Sequence, residues 1–192
     1  MISLLYEPLP ESILADGEAL RILTDFRAWV QFIEMLGDKA LEPAEKAAAL
    51  SGWLEEPRPV TREIVEGLKA FCLARQLEPD PPEDAPEEDE IADRPPSWDW
   101  CVDAKFVIGD FRRYYGIDLL RVGYLHWWEF RALFAALPEN SRSLQRIGIR
   151  SLDLSQIKDK DTKRRYAEMQ RRIALPFEMD DGAIGAVFAA ML

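Results

Sequence analysis

One histidine, His126, and two cysteines, Cys72 and Cys101, are all that this 192-residue chain offers to soft-metal or imidazole chemistry. That scarcity excludes most zinc, haem and triad sites, which need clustered His and Cys or a Ser-His-Asp set. The cysteines lie in apolar runs with no C-x-x-C spacing, so a reducing cytoplasm is the simpler expectation and no disulfide frame is implied. No apolar run approaches the roughly 18 residues that a membrane span requires. The first residues carry no basic segment ahead of an apolar one, as a secretory signal would. A soluble cytoplasmic protein is expected. Strand-like alternation is also scarce, and no fixed-period repeat occurs. What is abundant is carboxylate, 35 Asp and Glu against 24 Lys and Arg, for a net charge of -11.

The charge is unevenly spread. Residues 78–96 hold nine carboxylates and six prolines against one arginine, whereas residues 142–172 carry a net +6. Like-charge repulsion and missing backbone donors keep the acidic stretch from building a core, so it reads as an extended, solvated linker. Clustered Lys and Arg at 158–172 raise a nucleic-acid reading. Asp159, Asp161 and Glu168 interrupt that cluster, and the whole-chain charge opposes DNA, so a solvated helix face is the expectation.

Apolar spacing supplies the architecture. Thr24 reads as the N-cap of a helix with Phe26, Trp29, Val30, Ile33 and Leu36 on one face, closed by Gly37. Pro43 suits the first turn of a second helix, and Ala47, Leu50, Trp53 and Leu54 carry its stripe to the break at Pro57 and Pro59. Thr61 caps a third with Ile64, Leu68, Phe71, Cys72 and Arg75 along one side. Upstream, MISLLYEPL and ALRIL are compatible with a short strand pair. Beyond the linker, Trp100, Ala104, Val107, Phe111 and Tyr114 or Tyr115 repeat with helical period until Gly116. In YLHWWEFRALFAAL, Trp127, Phe130, Phe134 and Leu137 share one face, with Trp128 about 100° away. Ser141 caps a short helix through Ile147, and Asp161 caps one containing Tyr166, Met169 and Ile173. The expected fold class is all-α: two small helical units, residues 1–77 and 97–176, joined by the acidic Pro-rich linker 78–96. A short β pair near the N-terminus and an apolar tail helix at 177–192 complete it.

Three strings stand in a recognisable order: YYGIDL at 114–119, YLHWWEFRALFAALPENS at 124–141 and IRSLDLSQIKDKDTKRRYAEMQRRIALP at 149–176. With TDFR at 24–27 and a P-A-E-K helix start at 43–46, the chain resembles the bacteriophage gene-product-fifteen family of tailed-phage and prophage structural clusters. The resemblance runs from about residue 17 to 176, omitting the linker. It implies a tail assembly chaperone that acts on the tape measure protein. Such a protein needs apolar surfaces for amphipathic helices and solubility while holding its client, not catalytic groups. No cofactor or metal is implied.

Candidate partner residues follow from interface statistics and from the tail. Aromatic and arginine side chains dominate hot spots, which points to Trp128, the tryptophan off the main stripe, and to Arg131. In DDGAIGAVFAAML at 180–192, Ile184, Val187, Phe188 and Met191 form one apolar face that must dock on the chain itself, a second subunit or a tail protein. His126 reads as a hydrogen-bonded structural residue. Asp99, Asp103 and Asp110 read as a hydrated helix face rather than a metal site. Two competitors remain: a carboxylate-based hydrolase, which requires an acid-lined cleft, and a nucleic-acid-binding or adaptor module resting on the helices near 141–148 and 162–173.

Overall fold

The computed structural model describes residues 6–74 and 97–175. Seven α-helices and one two-stranded antiparallel sheet occur among them, so the chain is mostly helical, as its periodicity indicates. Strands β1 (Ser12–Ala15) and β2 (Glu18–Arg21) meet at a two-residue turn in which Asp16 and Gly17 both take positive φ, 53° and 77°. That pair of left-handed conformations matches the twist of a tight hairpin, and Gly17 adopts its share without a Cβ clash. The first strand described is SILA. Of the MISLLYEPL run, residues 1–5 lie outside the described residues, and residues 6–9 are not in a strand, where Pro8 cannot donate to a ladder.

Helices α1 (Phe26–Gly37), α2 (Pro43–Ala49) and α3 (Arg62–Leu73) follow, with a 3-10 turn at Leu50–Trp53 after α2. Pro43 opens α2 and Thr61 caps α3 through the Ile64 amide, both as expected. Helix α1 starts one residue later than the Thr24 reading, because the Asp25 carboxylate accepts from the Arg27 amide. Its buried side chains are Phe26, Trp29, Phe32 and Leu36. The inward face is therefore rotated by roughly 40° from the expected stripe, given 100° per residue. Lys46 on α2 is buried and donates to the Leu36 carbonyl at 2.7 Å, satisfying a helix-end acceptor.

Two compact units divide the chain, but not at the linker alone. Residues 6–74 group with Tyr124–Arg131, while 97–123 group with 132–175. The LHWW segment thus belongs to the N-terminal unit, which corrects its placement within 97–176. The 100-residue separation is bridged by backbone: Phe26 N–H donates to the Leu125 carbonyl at 2.9 Å and Trp127 N–H to the Thr24 carbonyl at 2.8 Å. Around these bonds, ring pairs Trp29–Phe71, Phe71–Trp128 and Phe26–Phe130 lie 4.7, 5.3 and 4.8 Å apart between centroids. These are attractive aromatic separations that add to area burial.

The second unit is built on α4 (Trp100–Tyr115), α6 (Arg142–Ser151) and α7 (Lys160–Ile173), together with the end of α5 (Trp127–Ala135). Gly116 closes α4 in the left-handed conformation. Asp99 caps α4 and Asp159, rather than Asp161, caps α7. Helix α6 runs to Ser151, longer than the Ile147 end expected. The hydrated-face reading of Asp103 and Asp110 is overturned, since both are buried. Asp110 accepts from the Arg142 and Ser143 amides at 3.2 and 2.8 Å, capping the N-terminus of α6 where an anion is favoured. Two turns back along α4, Asp103 accepts from Arg146 Nε at 2.9 Å and is gripped by both terminal nitrogens of Arg150. The same Arg150 guanidinium donates to the Ile173 and Ser97 carbonyls. Burial pushes the Asp103 carboxyl up, but the Arg150 and Arg146 guanidiniums outweigh it and hold the group below its ordinary value. The linker 78–96 and the tail 177–192 lie outside the described residues.

Candidate partner-binding site

Position and burial decide which expected partner residues are available. Trp128 is fully buried, and its indole N–H donates to the Phe71 carbonyl at 2.9 Å. Its neighbour Trp127 is 1% exposed and donates to the Cys72 carbonyl at 2.8 Å. The reading of Trp128 as a surface anchor is therefore wrong. These two carbonyls belong to the last turn of α3, where helix acceptors lack internal partners, so adjacent indoles reach adjacent acceptors. Both neighbours are buried, although they point about 100° apart, because both indoles reach the end of α3. Arg131, half-buried, donates to the Cys72 carbonyl at 2.8 Å and lies 5.9 Å from the Trp127 ring. It is a part of this joint rather than an outward hot spot. Ile184, Val187, Phe188 and Met191 lie outside the described residues.

His126 is structural, as expected. Its Nε2–H donates to the Pro10 carbonyl at 3.0 Å while Nδ1 accepts from the Trp128 amide at 3.1 Å. Acceptance at Nδ1 requires the neutral ring. Burial lowers its pKa, against smaller opposing effects of the Pro10 bond and of Glu129 and Glu11. A histidine depressed below its ordinary 6.5 contributes stability that is complete above that value and is lost as pH falls through the folded pKa. Urea unfolding of the N-terminal unit is expected to show a lower midpoint at about pH 5.5 than at about pH 7.5. His126→Gln should remove that difference; an equal fall in the variant would assign it to other groups. Burial also pushes the Cys72 thiol up to about 12, with Arg131 opposing, so the thiol is protonated and unreactive.

An apolar surface is available where β1 lies against α3. Leu14 on β1 is 77% exposed. Beside it a cleft of about 200 Å³ runs between β1 and α3, floored by Ile13, Gly67, Ala70, Phe71 and an edge of Trp128. Gly67 sets its depth: a Cβ there would lie 2.9 Å from Ile13 Cδ1, too close for any other residue without displacing the Ile13 side chain. Sequence periodicity missed this surface, although the outward Leu in SILA was a signal, because a four-residue strand alternates too briefly to be recognised.

On α7, Lys160, Arg164 and Arg171 are exposed and fall within about 40° of one another around the helix. Arg172 instead pairs with Glu168 at 2.6 Å. Among the described residues no helix is long and apolar enough to cross a membrane, and no group of three His, Cys, Asp or Glu is placed to hold a metal ion.

Comparison with curated proteins and with solved structures finds no match. The family described as Bacteriophage Gp15 protein does match, over residues 5–175. That span contains the TDFR and LHWW strings whose backbones pair, the Asp103 and Asp110 latch, and the cleft beside Leu14. The chain belongs to the bacteriophage Gp15 protein family.

Proposed function

We propose that this protein is a non-enzymatic assembly factor of a phage or prophage tail. It works in the bacterial cytoplasm as a chaperone for the tape measure protein or another tail component. Family membership supports a phage assembly role. The observation that carries the partner-binding part is the exposed Leu14 beside the β1–α3 cleft, an apolar surface on an otherwise acidic protein. Such a surface takes apolar client side chains, while a net charge of -11 keeps the loaded complex soluble.

Co-expression tests the proposal. A phage tape measure protein co-expressed with this chain is expected to move from the insoluble to the soluble fraction and to co-elute with the chain. Unchanged solubility without co-elution would refute the chaperone role. The alternative, a nucleic-acid-binding adaptor, draws on the Lys160, Arg164 and Arg171 line. It requires filter-bound affinity that falls steeply with salt, which the assembly reading does not expect.

A further inference from the structure

The β hairpin has two outer edges, and they differ. On β2, Leu23 N–H donates to the Trp53 carbonyl at 2.9 Å and Glu55 N–H to the Arg21 carbonyl at 3.0 Å, so residues 53–55 cover that edge. On β1 the register sets which groups remain. Ala15 opposes Glu18 across a two-residue turn, Ile13 opposes Leu20, and Ile22 N–H donates to the Glu11 carbonyl. These alternate positions use their backbone groups inside the ladder. Ser12 and Leu14 consequently turn their N–H and C=O groups outward. Among the described residues nothing covers them.

From this edge we infer that β1 and the adjoining cleft form a strand-addition site, which takes an extended segment of a partner protein with alternating apolar side chains and a basic residue at its end. The backbone groups of Ser12 and Leu14 are two residues apart, about 6.6 to 6.8 Å. An extended chain presents complementary groups at that interval, whereas a helix has already spent its own on internal bonds. Every second side chain of such a strand would project towards the cleft floor at Ala70 and Phe71.

Charge selects the ends. On α3 the cleft-facing side contains Gly67, Ala70 and Phe71; at 100° per residue Glu63 falls on this side and Glu66 on its flank, while Arg62 and Lys69 fall on the far side. At the turn end, the Glu63 carboxylate accepts from the Asp16 amide and the Asp16 carboxylate from the Thr61 hydroxyl, and among the described residues neither acid has a cationic partner. A lysine or arginine on the incoming strand meets two carboxylates there. The inference rests on the partner-binding reading of this face, but not on the identity of the partner.

A short capped peptide of alternating valine and threonine with a lysine at each end, added to the full chain, tests it. Hydrogen exchange at the Ser12 and Leu14 amides should slow on binding, with Ile13 and Ala15 unchanged because they already bond within the hairpin. Leu14→Pro removes one outward donor at an edge position where proline is tolerated, and should weaken binding about tenfold. Ala70→Leu, which fills the cleft, should also weaken it, and a version of the peptide with glutamate ends should bind less well. Binding without slowed exchange at Ser12 and Leu14 would overturn strand addition, as would binding insensitive to Leu14→Pro. Should that variant fail to fold, amide protection in the unmodified chain decides alone. If an amphipathic leucine-lysine helix binds in an Ala70→Leu-sensitive way while the strand peptide does not, strand addition fails and the partner-binding reading of the face stands. If neither peptide binds, strand addition again fails, and tape measure co-elution separately decides the chaperone role.

Discussion

Trp128→Ala is expected to destabilise the N-terminal unit by about 3 to 5 kcal/mol, the cost of removing a buried large aromatic. Trp127→Ala should cost about as much. Each deletion empties a packed site and removes an indole donor from the end of α3, at the Phe71 or the Cys72 carbonyl. Both carbonyls keep a second donor, the Ala74 amide for Phe71 and Arg131 for Cys72, so the two effects are expected to be of similar size. Because domains of this size hold only about 5 to 15 kcal/mol, either variant should leave the unit marginal. Guanidinium unfolding followed by tryptophan fluorescence measures it. A neutral Trp128→Ala would mean that the segment at residues 124–131 is not seated in the N-terminal unit.

Asp103→Ala is expected to cost the second unit a comparable 3 to 5 kcal/mol, because breaking a buried ion pair leaves the surviving charge without compensation. The Asp103 side chain is fully buried and that of Arg150 is 5% exposed, so Arg150 cannot rehydrate in place. The double variant Asp103→Leu with Arg150→Met should recover part of the loss by replacing the pair with apolar volume. Recovery will be incomplete because Arg150 also holds the Ser97 and Ile173 carbonyls. The sign with pH follows from the depressed carboxyl pKa. The contribution is complete above the ordinary 3.8 and is lost as pH falls through the lower folded value. Circular dichroism melts at neutral and acid pH should therefore show the gap between wild type and Asp103→Ala closing only in strong acid.

Local rules read the helices well and long-range ones poorly. The Pro43 start, the Thr61 cap and the Gly116 stop were legible because each is decided by bonds within a turn of the chain. Thr24 and Asp25 are both good caps in adjacent positions, and only the pairing of Thr24 with Trp127 settles which is used. On α1 the apolar residues at 30, 32 and 33 spread over about 160° of the helix circumference, so its partner rather than its period set the inward face. The buried aspartates were the larger failure. Charge suggested solvent, yet Asp103, Val107, Asp110 and Phe111 stand at i, i+4, i+7 and i+8, the spacing of a core stripe. Arg142, Arg146 and Arg150 repeat every four residues on α6 as their counterpart. The acids belonged to the stripe, and the matching arginines were the available signal.

The binding surface was less legible still. Tryptophan in an adjacent pair suggested an anchor, but both indole N–H groups donate to the end of α3. The candidate surface fell instead to Leu14, a single leucine in a four-residue strand. Its significance depends on Gly67 letting α3 approach β1 and on residues 53–55 covering only one edge of the hairpin.

Retention of the co-expressed tape measure protein on the immobilised chain, compared between wild type and the Leu14→Lys, Ala70→Leu double variant, tests the central claim most directly. The account predicts that wild type retains the client and that the double variant, with its fold intact by circular dichroism, loses most of it. Equal retention by the two proteins would contradict the assignment of partner binding to the β1–α3 face.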